Sequence, residues 1–496
     1  MAIAVEIPEA ARRFLDGKPK GLWIDNAYVD ATSGSTITAY DPSNGSVLGE
    51  VQEASREDVD RAVRSARAAF EGEWSSITPD ERGRMLWRIS EIVEEHAEEL
   101  AVLETLNNGK PIVAARRDDI TNLAAMFRYY AGWTTKLHGK TIPTSAGNFL
   151  TYTRHEPVGV CAGIIPWNYP LMMAGWKMAP ALACGNVIIM KPAEQTPLSL
   201  LRFAELAAEA GLPAGVLNVV NGMGETTGAA LVDHPDIDKV AFTGSAEVGR
   251  QITKGSTGNL KRVSLELGGK SPNVFFDDAP DDRIDGAVWG IYYNMGQDCT
   301  AGSRLFVQSG IYDEVMSGLV EGARAMKVGP GMDEETDIGP LVTREQMDRV
   351  LGYLDIGRSE GRIPIGGGPA QVSGGENGNY VLPTVISDTS NHARVAQEEI
   401  FGPVVVAMPF DDEDELVRKA NDTIYGLGAA VWSSDAKRAL RMAHRLKAGT
   451  VWVNCYGPVD PAAPFGGFKQ SGHGREMGEY ALELYTEVKC VWVNLD

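Results

Sequence analysis

The sequence predicts an α/β fold built on mostly parallel sheets, and three observations carry that expectation. Short apolar, β-branched runs recur between residues 158 and 267, each followed by a stretch of helical periodicity. That alternation builds βαβ units whose strands are buried on both faces. A second alternation of the same kind begins after Pro272, and a chain of 496 residues is too long for one compact core, so two or more units are expected.

Taken in order, residues 22–51 alternate short apolar segments with the turn pairs Asp25-Asn26, Ser33-Gly34, Asp41-Pro42 and Asn44-Gly45, which reads as antiparallel strands. Val59, Val63, Ala66 and Phe70 share a helical face. Leu86, Ile89, Val93, Leu100 and Leu103 do so over a longer stretch that ends near Asn107-Asn108-Gly109, with His96 at the edge of the core. A third helix is expected over residues 119–137. In the alternating region, strands are expected at 158–165, 187–190, 216–220, 240–242 and 263–267, with helices at 171–183, 197–210, 226–232 and 246–254. Beyond Pro272 the expectation is a strand at 273–276, a helix at 284–295, a strand at 305–308 and a helix at 312–326. A Gly-rich turn at 366–379 and a strand at 404–408 follow, then helices from the acidic start at Asp411 to Ala448 and a buried strand at 451–454. The apolar tail at 484–493 is strand-like and would be exposed unless paired.

Composition excludes several functions. With 67 acidic against 46 basic side chains and a formal charge of -21, the chain repels phosphate backbones and anionic lipid, so neither nucleic acid nor membrane is expected as a partner. The five cysteines, Cys161, Cys184, Cys299, Cys455 and Cys490, are odd in number and widely spread, which fits a reducing cytoplasm. The seven histidines show no metal-ligand spacing, and no metal site is expected. Glu6 and Glu9 interrupt the N-terminus before any leader-like apolar run forms.

The expected parallel strands end in polar residues: Pro166-Trp167-Asn168, Lys191-Pro192-Ala193-Glu194, Gly222-Met223-Gly224, Thr243-Gly244-Ser245 and Glu266-Leu267-Gly268-Gly269. Open α/β sheets bind ligands at the carboxyl ends of their strands, so this chemistry converges on one rim. Gly244 to Gly249 follows a strand and opens a helix, an arrangement suited to a pyrophosphate, although it is not the G-x-G-x-x-G fingerprint. Lys191 and Glu194 add a cation and a carboxylate, the latter able to accept from ribose hydroxyls. Farther on, Gly296-Gln297-Asp298-Cys299-Thr300-Ala301-Gly302 sets a cysteine on a short loop among small residues, where a sulfur is reachable.

These motifs, with Glu399-Ile400-Phe401-Gly402-Pro403 and Pro464-Phe465-Gly466-Gly467, make the chain resemble the aldehyde dehydrogenase superfamily in the family's order from about Trp23 to the C-terminus. The resemblance implies that Cys299 is the nucleophile, that the Asn168 amide and the Cys299 N–H hold the oxyanion, and that Glu266 activates the water that hydrolyses a thioester. It further implies cofactor contacts from Ile164, Pro166, Trp167, Lys191, Glu194, Gly224, Phe242, Gly244, Ser245, Val248, Glu399 and Phe401. Lys177 and Glu476 match a proton path. The cofactor implied is NAD rather than NADP, because Glu194 would repel a 2'-phosphate.

Tyr169, Met173, Trp176, Asp298, Thr300 and Phe465 match a substrate tunnel, which favours a broad range of hydrophobic or aromatic aldehydes; a betaine-aldehyde or aminoaldehyde substrate is the alternative, through an aromatic cage. A CoA-acylating enzyme, a thioesterase acting through Cys299 alone and a catalytically silent protein of this fold are the other readings. Glu266 argues against the first of these, and the joint presence of Cys299, Glu266 and Asn168 against the last. The implied fold has a Rossmann-like NAD-binding domain (1–140 and 158–267), a second α/β catalytic domain (268–478) and a β extension for oligomerisation (141–157 and 479–496), with self-association as a homodimer or homotetramer.

Overall fold

The computed structural model describes residues 6–496; the first five residues of the N-terminal stretch read above lie outside the described residues. Two sheets organise the chain. The first has eight strands in the spatial order Gly472–His473, Arg262–Glu266, Lys239–Thr243, Val160–Ile164, Val187–Lys191, Leu217–Val219, Leu22–Ile24 and Ala27–Val29. Its central five strands are parallel. The chain runs outward from Val160–Ile164 to Leu217–Val219 and then restarts on the other side at Lys239–Thr243. The strand order therefore reverses between Val160–Ile164 and Lys239–Thr243, and such a switch point leaves a crevice at the carboxyl ends of the strands.

The second sheet has seven strands in the order Arg362–Ile365, Thr384–Ser387, Val404–Phe410, Arg304–Gln308, Pro272–Phe275, Gly428–Trp432 and Thr450–Val453. All neighbours are parallel except the first pair. Each sheet has its own apolar core. Helix Pro170–Ala183 is buried along its whole length, as its nearly unbroken apolar sequence requires. That helix carries Met173, Trp176 and Lys177 into the region where the sheets meet.

The structure departs from the expected elements at several points. Gly428–Trp432 is a fully buried strand between Pro272–Phe275 and Thr450–Val453, not part of a helical run to Ala448; its Gly-Ala-Ala start suits a helix, and burial between two parallel neighbours overrides that propensity. Thr450–Val453 itself is only partly buried, because it is the edge of its sheet. The long stripe from Leu86 to Leu103 is two helices, Pro79–Glu95 and Ala97–Asn108, parted at His96, whose Nδ1 lies 2.8 Å from the Glu99 carboxylate. The helix expected over 119–137 is π-helical at Ala115–Ile120 and α-helical only over Thr121–Ala131. The helix expected to reach residue 295 ends at Tyr292. Helix Arg344–Glu360 and the strands Arg362–Ile365 and Thr384–Ser387 were not anticipated.

Strands Phe149–Pro157 and Thr486–Asn494 pair antiparallel as a separate two-stranded ribbon in continuous register. Val488 and Trp492 lie exposed on it, and Lys489 pairs with Glu156. Among the described residues no helix is long and apolar enough to cross a membrane.

Candidate active site

Cys299 sits on a loop whose backbone geometry is unusual. After Tyr292 the chain turns through Asn294 (φ 48°), Met295 (φ 57°) and Gly296 (φ 66°), a left-handed run that L-residues rarely adopt. At Gly296 a side chain is also excluded by contact, since a Cβ there would overlap the Gly402 carbonyl. The turn aims the Gln297 carbonyl at two amides, and Asn168 and Asn294 each donate to it at 3.0 Å. The Gln297 side chain accepts from the Val342 N–H at 3.1 Å. Downstream, Asp298 Oδ1 accepts from the Thr300 N–H and hydroxyl, both at 2.8 Å, and the Tyr456 hydroxyl donates to the Thr300 carbonyl. The loop is thus held from three sides, and Cys299 remains partly accessible.

Two cavities converge on this cysteine. One, of about 480 Å³, is lined by Tyr169, Met173, Trp176, Asp298, Thr300 and Phe465, among others. All six tunnel residues expected from the sequence therefore face one space. The other, of about 440 Å³, is lined by Pro166, Trp167, Asn168, Gly244, Ser245, Glu399 and Phe401, among others. Cys299 and Glu266 border both cavities, as do Tyr169, Met173 and Thr243.

Glu266 ends strand Arg262–Glu266 and is buried, with Oε2 lacking any hydrogen-bond partner. Burial raises its pKa well above the ordinary carboxylate value, the nearby Glu476 carboxylate raises it further, and Lys177 and Arg475 oppose the shift. Lys177 Nζ donates to Glu476 at 2.6 Å and to the Thr243 hydroxyl at 2.7 Å, so the two residues expected as a proton path are in contact beside Glu266. The Cys299 thiol is also pushed well up, first by burial and then by the Asp298, Glu399 and Glu266 carboxylates. A carboxyl of raised pKa with a free oxygen, next to a thiol that must lose its proton to act, has the chemistry of a general base.

The second cavity continues along the carboxyl edge of the first sheet. The Lys191 ammonium, at the end of Val187–Lys191, is 3.3 Å from a Glu194 oxygen; burial lowers the Lys191 pKa and the carboxylate partly restores it. Ser245 caps helix Ala246–Gly255 by accepting from the Val248 N–H at 3.2 Å. The Phe242 ring fills the space that a Cβ on Gly244 would take, so backbone approaches the crevice there. Ile164 closes Val160–Ile164 at the switch point, and Gly224 opens the π-turn Gly224–Gly228 with free space above it. Glu399 accepts from the Gly269 N–H at 2.9 Å, and burial pushes its pKa up to about 7. Phe401, held at φ 63°, meets Trp167 edge-on at 5.2 Å. Backbone without side chains, a helix N-terminus and a carboxylate at a strand end fit a dinucleotide. Ile164, Lys191, Glu194, Gly224, Phe242 and Val248 lie along this rim outside the walls of the 440 Å³ cavity itself.

Sequence reasoning missed part of the tunnel. Trp289 and Tyr293, with ring centroids 4.7 Å apart, and Arg117 and Asp118 from the π-helical turn also line it. Behind Tyr169, the Lys110 ammonium lies 4.2 Å from the ring centroid and binds both Asp119 oxygens at 2.8 Å. The aromatic run Tyr292-Tyr293 was a visible signal; the Lys110–Asp119 pair had none, because only the fold brings it under Tyr169. Among the described residues no cluster of His, Cys, Asp and Glu could hold a metal ion.

Comparison with known proteins identifies the family. Residues 28–491 match the model of the aldehyde dehydrogenase family. The mitochondrial aldehyde dehydrogenase of Homo sapiens is 49% identical over 480 residues, covering 96% of this chain and 92% of that protein. The NAD+ complex of an aldehyde dehydrogenase from Bacillus cereus superposes with a TM-score of 0.97 at 50% identity, covering all of both chains. The indole-3-acetaldehyde dehydrogenase of P. syringae, solved with NAD+ and IAA, superposes with a TM-score of 0.94 at 44% identity over 98% of each chain. With the family model spanning nearly the whole chain, this protein belongs to the aldehyde dehydrogenase family.

Proposed function

We propose that the protein oxidises an aldehyde to a carboxylic acid with NAD, in a reaction carried by Cys299, Glu266 and Asn168. The observation that carries this reading is the convergence of two separate cavities on Cys299 and Glu266. On this reading the aldehyde enters the 480 Å³ cavity, the partly accessible Cys299 thiol gives up its proton to solvent water, and its sulfur adds to the carbonyl carbon. The oxyanion is held by the second N–H of the Asn168 amide, whose first donates to Gln297, and by the Cys299 N–H. NAD, when bound in the 440 Å³ cavity, supplies the acceptor for the hydride that leaves the tetrahedral carbon. The thioester then left on Cys299 is hydrolysed by water that Glu266 deprotonates, and the Lys177–Glu476 pair relays the proton away. Glu266 with its unpartnered oxygen favours hydrolysis over transfer to CoA.

The tunnel walls, Met172, Met173, Trp176, Phe465 and Trp289, suit hydrophobic and aromatic aldehydes. The aminoaldehyde alternative keeps one observation in its favour, because the Asp118, Asp298 and Asp460 carboxylates also line this cavity and would attract a cation. We assign the first sheet to the cofactor, the second to the nucleophile loop, and self-association to the exposed ribbon of Phe149–Pro157 and Thr486–Asn494. The free cysteines suit a reducing cytoplasm.

NADH absorbance with NAD and a panel of aliphatic, aryl, quaternary-ammonium and amino aldehydes tests the reading. Turnover of the aliphatic and aryl members above the charged ones is expected; NAD binding with no turnover of any member would overturn it. Cofactor choice is tested separately. Glu194→Gln removes a negative charge from the adenosine-ribose position, and the NADP-to-NAD ratio of kcat/KM is expected to rise about tenfold; an unchanged ratio would remove Glu194 from that role.

A further inference from the structure

The residue before the nucleophile carries a carboxylate that is only half committed. Asp298 Oδ1 braces the loop through Thr300, whereas Oδ2 makes no hydrogen bond of good geometry, the Tyr169 hydroxyl and the Cys299 thiol being the donors near the carboxylate. Asp298 borders the 480 Å³ cavity and not the 440 Å³ one, and Tyr169, which lies near its carboxylate, borders the same space. A second polar group stands there unpaired. The Tyr169 hydroxyl is buried and has no partner, and its ring is fixed between the Lys110 ammonium, 4.2 Å from its centroid, and Tyr293, stacked at 6.3 Å. The ring cannot turn away to seek a partner without breaking those contacts. Met172, Met173, Trp176 and Phe465 form the apolar part of this wall, and Arg117, Asp118, Asn122 and Asp460 its polar part.

Buried acceptors and hydroxyls left unpaired are costly, and a ligand that supplies the missing partner recovers that cost. Asp298 adjoins Cys299 on the same cavity, so an aldehyde on the Cys299 sulfur places a group a few bonds from its carbonyl within reach of Asp298. Resting on the reading that this tunnel holds the aldehyde, we infer that Asp298, assisted by Tyr169, selects aldehydes bearing an O–H or N–H donor at that distance. Hydroxyaryl and hydroxyalkyl aldehydes are the class described. An aldehyde carrying a carboxylate at the same place is rejected, because it would meet Asp298 with like charge.

The test is a ratio of specificity constants, which a merely bracing Asp298 would not move. Benzaldehyde, 3-hydroxybenzaldehyde and 3-methoxybenzaldehyde are compared with NAD in the full-length protein. The hydroxy compound is expected to exceed the methoxy compound in kcat/KM by about tenfold or more, as a hydrogen bond to a charged group implies. In Asp298→Asn the Oδ1 brace to Thr300 is kept and the free oxygen becomes an N–H donor, so the ratio should fall toward one. Tyr169→Phe should lower it by a smaller factor. A wild-type ratio near one overturns the inference without need of any variant, and so does a ratio unchanged in Asp298→Asn whatever the absolute rates. Absence of NADH with all three aldehydes overturns the underlying dehydrogenase reading, and the inference with it.

Discussion

Cys299→Ala is expected to abolish NADH formation, with a loss of about 10⁴-fold or more, while NAD binding followed by tryptophan fluorescence persists. The size of the effect follows from the position of the sulfur. Cys299 is the cysteine at which the two cavities meet; Cys161 and Cys184 are buried elsewhere in the core of the first sheet. The neighbouring hydroxyl of Thr300 cannot substitute for it, being tied to Asp298. The substitution should spare the fold, because the loop is held by Asn168, Asn294 and Thr300 and not by the thiol. Turnover retained in this variant would remove the nucleophile assignment.

Glu266→Gln is expected to release one equivalent of NADH per site and then slow by about 10²- to 10⁴-fold, the usual contribution of a general base. Intact-protein mass spectrometry should show an acyl adduct on Cys299, and its absence would exclude Glu266 from deacylation. The pH dependence adds a second readout. The Glu266 carboxyl is raised well above its ordinary value by burial and by Glu476, so it is protonated at low pH and becomes a base only as pH rises through that raised value. The wild-type steady-state rate should therefore climb with pH over that range, and the Gln variant should lose that limb. Folding should tolerate the change. The unfolded chain ionises this carboxyl above about 4.3, whereas the folded chain keeps it protonated to higher pH; stability falls as pH rises between the two values, and Gln carries no such cost.

Much of this site was legible because its residues sit where secondary structure ends. Asn168, Lys191, Glu194, Ser245 and Glu266 each follow or close an apolar run that reads as a buried strand, and the carboxyl edge of a parallel sheet gathers them. Helix stripes such as Val59, Val63 and Ala66 were equally plain, since these residues are buried on one face. What was not legible depended on contacts distant in sequence. Gly428–Trp432 is a strand because of its neighbours, not its composition. Met295 continues a helical pattern in sequence, yet it stands in left-handed geometry because the turn must bring Gln297 beneath Asn168. The support of Tyr169 by Lys110 and Asp119 crosses 50 or more residues of chain and leaves no local periodicity.

The meeting of two cavities at one cysteine also has a kinetic consequence. Since most of their walls are different residues, a molecule lodged in one space leaves most of the other's contacts untouched. An inhibitor fitted among Trp176, Phe465 and Trp289 would accordingly not compete with the dinucleotide. A compound long enough to occupy both spaces would have to pass Cys299 and Glu266, which border both cavities.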